Sequence, residues 1–146
     1  MSSYCCGSGY GAGGGGGSGA ALSDTLFWGA GQILNTITSR FLWPGFDNTL
    51  AQAAAPQIRA ARAGTARNMR VRHNFTAGNG NNIVYTLRVN GVATALTVTL
   101  ASTASDGSDL VNSVAVAAGD LLDIIATKAI DIGTSPSDIT CTIEYA

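Results

Sequence analysis

The sequence predicts an all-β protein, an antiparallel β-sandwich of jelly-roll type with about eight strands, preceded by a Gly-rich extended N-terminal arm. Three observations predict it. Apolar and polar residues alternate with period two in several segments beyond Gly64. Asn90-Gly91 joins two such segments through a two-residue turn. The segments add up to about eight, the strand number of a two-sheet jelly roll. The 146 residues suit one domain, since compact domains usually run to ~100–150 residues. Within it the chain divides into an arm over 1–20, an apolar and aromatic anchor with an entry strand over 21–50, and the sandwich over 51–146.

In the arm, Gly11, Gly13 to Gly17 and Gly19 leave the backbone so free that ordering it alone is costly. Tyr4, Cys5, Cys6 and Tyr10 punctuate it, and a plain spacer has no use for aromatics. This favours an anchoring or assembly arm that threads along a partner, with Tyr4 and Tyr10 as its holds. Residues 22–50 contain both tryptophans and three of the four phenylalanines. Large aromatics usually fill cores. Leu26-Phe27-Trp28, followed by Gly29 and Gly31, equally reads as an anchor against another subunit, and Trp43 is grouped with it. The Ala-rich run from Leu50 to Ala63 is interrupted by Pro56, so at most a helical turn and then a strand near Gln57–Ala63 is expected.

From Met69 to Phe75 the alternation places His73 in phase with the apolar Met69, Val71 and Phe75, a packing position, and Arg70 and Arg72 on the opposite face. The run IVYTLRV, then Asn90-Gly91, then VATALTVTL predicts a type I′ hairpin. A two-residue turn pairs Val89 with Val92, Leu87 with Thr94, Tyr85 with Leu96 and Ile83 with Val98. The far face carries Val84, Thr86 and Arg88 with Ala93, Ala95 and Thr97, a short-chain surface able to lie against a neighbour. ASTASDGSD is expected as a loop, with Asp106-Gly107-Ser108-Asp109 a plain turn, since two acids are too few for a calcium shell. Strands through Val114 and Val116, through LLDIIATKAI, and through Ile139, Cys141, Ile143 and Tyr145 complete the count.

The pieces Tyr85-Thr86-Leu87-Arg88-Val89-Asn90-Gly91, Thr97-Val98-Thr99, Asn112-Ser113-Val114 and Val116-Ala117-Ala118-Gly119-Asp120, with Arg40-Phe41-Leu42-Trp43-Pro44-Gly45 as entry strand, resemble a group of bacteriophage-encoded virion proteins. That group carries a jelly roll of the complement and tumour-necrosis-factor type. The resemblance covers roughly residues 40 to 146. It implies a trimer displayed on a particle surface, located in the virion and assembled in the host cytoplasm, and it supplies no catalytic residues.

Composition narrows the chemistry. One histidine, one lysine and three cysteines leave too few parts for most acid–base, metal or nucleophilic constellations, so no catalytic or metal-ligating residue and no cofactor is expected. No apolar stretch reaches the ~18–20 residues of a membrane helix, and the start lacks a basic region followed by an apolar one, so neither membrane insertion nor a conventional secretion signal is expected. Only 12% of residues are charged, against ~25% in average soluble domains, so short neutral side chains must cover much of the surface.

The charge is also segregated. Six arginines and no acid fall between Asn48 and Ser105, whereas seven acids and only Lys128 follow from Asp106. Arg59, Arg62, Arg70, Arg72 and Arg88 are therefore candidates for meeting carboxylates of a second copy, with solvated strand faces as the plain alternative. Nucleic acid is not expected, because the arginines alternate with core residues and acids cancel their charge. The expected function is a non-enzymatic structural protein of a phage particle (capsid decoration, head fibre or tail-associated), self-associating and bound to other virion proteins through its arm. Two alternatives are a receptor- or glycan-binding module using loops Thr76–Asn82 and Ser102–Asp109, and a cell-surface or filament subunit built by strand donation.

Overall fold

The computed structural model describes residues 23–34, 36–47, 49, 51–74, 81–128 and 135–146. β-Branched and alternating segments become ten strands: β1 (Asp24–Gln32), β2 (Ser39–Phe41), β3 (Trp43–Pro44), β4 (Ile58–Arg59), β5 (Gly64–Arg72), β6 (Ile83–Val89), β7 (Val92–Leu100), β8 (Asp106–Val116), β9 (Leu121–Lys128) and β10 (Ser137–Tyr145). They form two antiparallel sheets packed as a sandwich. One runs β3-β1-β10-β5-β8, and the other runs β2-β9-β6-β7, with β4 pairing β9 beside β2. Because β2 and β4 are two pieces of one edge, that edge and the seven long strands occupy eight positions in the alternating order of a jelly roll, with the short β3 added beside β1.

The core lies between the sheets and is made by the alternation itself. Met69 and Val71 of β5, Ile83, Tyr85 and Leu87 of β6, Leu122 and Ile124 of β9, and Ile139, Cys141 and Ile143 of β10 point inward. His73 is buried among them, its ring 6.4 Å from that of Tyr85. Burial raises both the Tyr85 hydroxyl and the Cys141 thiol, so neither ionises at ordinary pH.

Three expectations need correction. The segment 21–50 is not set apart from the sandwich. β1 lies inside a sheet between β3 and β10, and Trp28, Ala30, Ile33 and Leu42 belong to the common core. Its strand pattern is masked in sequence because Gly29 stands where an outward side chain would be. A Cβ there would come 2.7 Å from the Phe46 ring, which lies over the strand.

The hairpin turns at Asn90-Gly91 with both residues at positive φ, and Val89 pairs Val92 as expected. Beyond that pair the register slips by two. Arg88 faces Ala93, but Thr86 faces Thr97 and Tyr85 faces Val98. Thr94 fills the irregularity by donating its hydroxyl to Leu87 O at 2.8 Å and accepting from Leu96 N. A slip of two leaves every side chain on its expected face, which is why the burial pattern survives it.

The expected loop at Asp106–Asp109 is instead the start of β8, paired residue by residue with Arg72 to Met69. Gly107 points inward, where a Cβ would meet Leu100 at 2.6 Å.

Candidate interaction surface

Exposed faces of the two sheets differ in chemistry. On the β2-β9-β6-β7 sheet the outward residues are Val84 and Thr86 on β6, Ala93, Ala95, Thr97 and Thr99 on β7, and Ile125 and Thr127 on β9. All of them are uncharged. The same face holds one ion pair, Arg88 with Asp123, whose two nitrogen–oxygen contacts are 2.6 and 3.1 Å. Asp123 is fully buried, takes a further hydrogen bond from Gln57 Nε2 at 2.9 Å, and its arginine stacks 4.5 Å from the Phe41 ring. The pair is sealed at the β2–β4 edge, so it puts little net charge on the face.

The free edge of that sheet is β7, nine residues without a charge, and an uncharged edge invites strand addition. Asp109 blunts it. Its buried carboxylate accepts from Thr97 N across the corner, and from Val111 N, Asn112 N and Asn112 Nδ2 at its own bulge, all at 2.9–3.1 Å. Burial raises this carboxyl, but the four hydrogen bonds to its ionised form outweigh burial and bring it down to about 2. The bulge it holds presents Leu110 and Val111 to solvent.

On the β3-β1-β10-β5-β8 sheet the outer face is polar over β10, β5 and β8, with Arg70 and Arg72 on β5, Thr140 and Thr142 on β10, and Asp106 and Ser108 on β8, and carries Phe27 and Phe46 at β1. The six polar residues, with Val71 and Gly107, line a shallow cavity of about 280 Å³; a second cavity shares Arg70 and Thr142 with it and is lined further by Thr25, Asn68 and Glu144.

Residues singled out from sequence are dispersed by the fold. Tyr4 and Tyr10 lie outside the described residues. Within Leu26-Phe27-Trp28, Leu26 packs against the core, Trp28 is wholly inside it, and only Phe27 faces outward, 36% exposed. Trp43 is half-buried opposite Gly29.

The arginines separate as clearly. Arg62 pairs with Asp24 at 3.0 Å, Arg67 with Glu144 at 2.5 Å, Arg88 with Asp123, and Arg59 donates to Gly119 O. Arg70 and Arg72 make neither an ion pair nor a hydrogen bond with any described residue. Asp123 and Asp109 were missed as structural carboxylates. The signal for Asp123 was present, an acid within the apolar run LLDII, in phase with the outward side of its strand.

Of the two proposed receptor loops, residues 76–80 lie outside the described residues and 106–109 belong to β8. Among the described residues no group of three or more His, Cys, Asp or Glu side chains could hold a metal, and no helix is long and apolar enough to cross a membrane. No protein-family model matches the chain, and no curated protein matches it.

Proposed function

We propose that this chain is a non-enzymatic structural protein of a bacteriophage particle that associates with copies of itself through the outer face of the β2-β9-β6-β7 sheet. The observation that carries this reading is the chemistry of that face. Eight threonine, alanine, valine and isoleucine side chains stand together without a free charge, in a protein that otherwise arms its exposed strands with Arg, Asp and Glu. Interface centres are depleted of charge in the same way. Association by a face is favoured over strand addition because the β7 edge is irregular at Thr94–Leu96 and capped at Thr97 by Asp109.

The placement in a phage particle comes from the turn and strand signatures over residues 40 to 146, which also favour a closed trimer. The N-terminal arm, ending where β1 begins, supplies the attachment to capsid or tail subunits. Size-exclusion chromatography with light scattering tests the first half of the reading. A trimer that becomes a folded monomer on Ala95→Arg with Thr99→Arg is the expected result, and a monomeric parent or an unaffected variant overturns it.

A further inference from the structure

We infer that the cavity between Arg70, Arg72, Thr140, Thr142, Ser108 and Asp106 is a binding site for a single carboxylated sugar, the acidic unit of a surface glycan. The first argument is charge. Of the described arginines on the strand faces, these two alone have no ion-pair or hydrogen-bond partner among the described residues, although Asp106 stands directly across from Arg72 in the β5–β8 ladder. Two guanidiniums on alternate positions of one strand lie on the same face and line the same cavity, where their N–H donors are available to a carboxylate.

The second argument is the rest of the lining. Thr140, Thr142 and Ser108 contribute hydroxyls that both donate and accept, and the Asp106 carboxylate accepts only. A ring carrying one acid and several hydroxyls matches that set. A phosphate chain does not, because only two cations stand there to meet its several charges, whereas an acidic sugar brings one. Size agrees as well, since about 280 Å³ falls just below the ~300–1,000 Å³ of drug-sized sites and suits one ring. The site lies on the sheet opposite the proposed self-association face, and its argument does not depend on that reading.

Isothermal titration calorimetry of the full chain tests it with N-acetylneuraminic acid and glucuronic acid, against N-acetylglucosamine and sodium sulfate at matched ionic strength. At least one acidic sugar is expected to bind, with the neutral sugar and sulfate at least tenfold weaker. Arg70→Gln with Arg72→Gln should weaken the acidic sugar by tenfold or more at an unchanged melting temperature, and Thr142→Val should weaken it severalfold while preserving the strand. If the arginine variant fails to fold, Thr142→Val and the sulfate comparison still decide. Absence of binding by both acids, equal binding of sulfate, or indifference to Thr142→Val overturns the inference.

Discussion

Asp109→Asn removes one charge from a carboxylate that holds two sheets together at their corner. In the native protein four N–H donors converge on it, one from β7 and three from the β8 bulge. The amide keeps the shape and one acceptor oxygen but loses the charge and aims N–H groups at other N–H groups. Hydrogen bonds to ionised groups contribute ~1.5–3 kcal/mol each, and bonds sharing one acceptor are not additive. The drop of the carboxyl from 3.8 to about 2, which those same hydrogen bonds cause, corresponds to about 2 kcal/mol. Both place the loss at pH 7 near 2 kcal/mol, a fall in melting temperature of about 6–10 °C for a domain of this size.

The sign with pH follows from the native value lying below the unfolded one. Stability from this carboxylate is complete above about pH 5 and disappears as pH falls through about 2. Urea or thermal unfolding of parent and variant across pH 2 to 7 therefore expects a gap that closes in acid. A difference under ~0.5 kcal/mol at pH 7, or a gap that does not change with pH, would refute the role assigned to Asp109.

Further outcomes bear on other parts of the molecule. Removal of residues 1–22 should leave a folded oligomer that no longer enters particles, whereas removal of 1–30 takes most of β1 with Trp28 and should give no soluble native protein by circular dichroism and chromatography. Trp28→Ala should cost ~3–5 kcal/mol in urea unfolding, the range for emptying a filled aromatic site. In a chain with Cys5 and Cys6 replaced by serine, Cys141 should resist a thiol reagent at pH 8 until denaturant is added, because burial raises its thiol far above that pH. Gly91→Ala, at a φ of +80°, should destabilise the hairpin by ~1 kcal/mol in the same assay.

The fold was legible where period two ran unbroken. β5, β6 and β10 carry their inward residues where the alternation puts them, and the Asn90-Gly91 turn falls where its dihedral tolerance demands. It was illegible where a glycine replaced a side chain. Gly29 erased the pattern of β1 because Phe46 needs its space, and Gly107 made the start of β8 read as a turn because Leu100 needs that space. Both glycines are set by a neighbour far away in sequence, so no local rule reports them. The two-residue slip in the hairpin was hidden for a related reason. It keeps the faces unchanged, and its cause is a threonine hydroxyl bonded to the backbone of the other strand.

The site was legible only in outline, and the jelly roll explains how. Segregated charge along the chain suggests charge segregated in space, and from there a basic surface meeting an acidic one on a second copy. This topology does the opposite. It inserts β10 between β1 and β5 and lays β9 beside β6, so acids from the last forty residues arrive next to arginines from the middle of the chain. Glu144 thereby meets Arg67, and Asp123 meets Arg88, within one subunit. Arg70 and Arg72 stand apart: their neighbours are Thr142 and Thr140 on β10 and Ser108 and Asp106 on β8, and Asp106, though opposite Arg72, forms no ion pair with it. Two guanidiniums are thereby left facing solvent beside three hydroxyls and one carboxylate that does not pair with them.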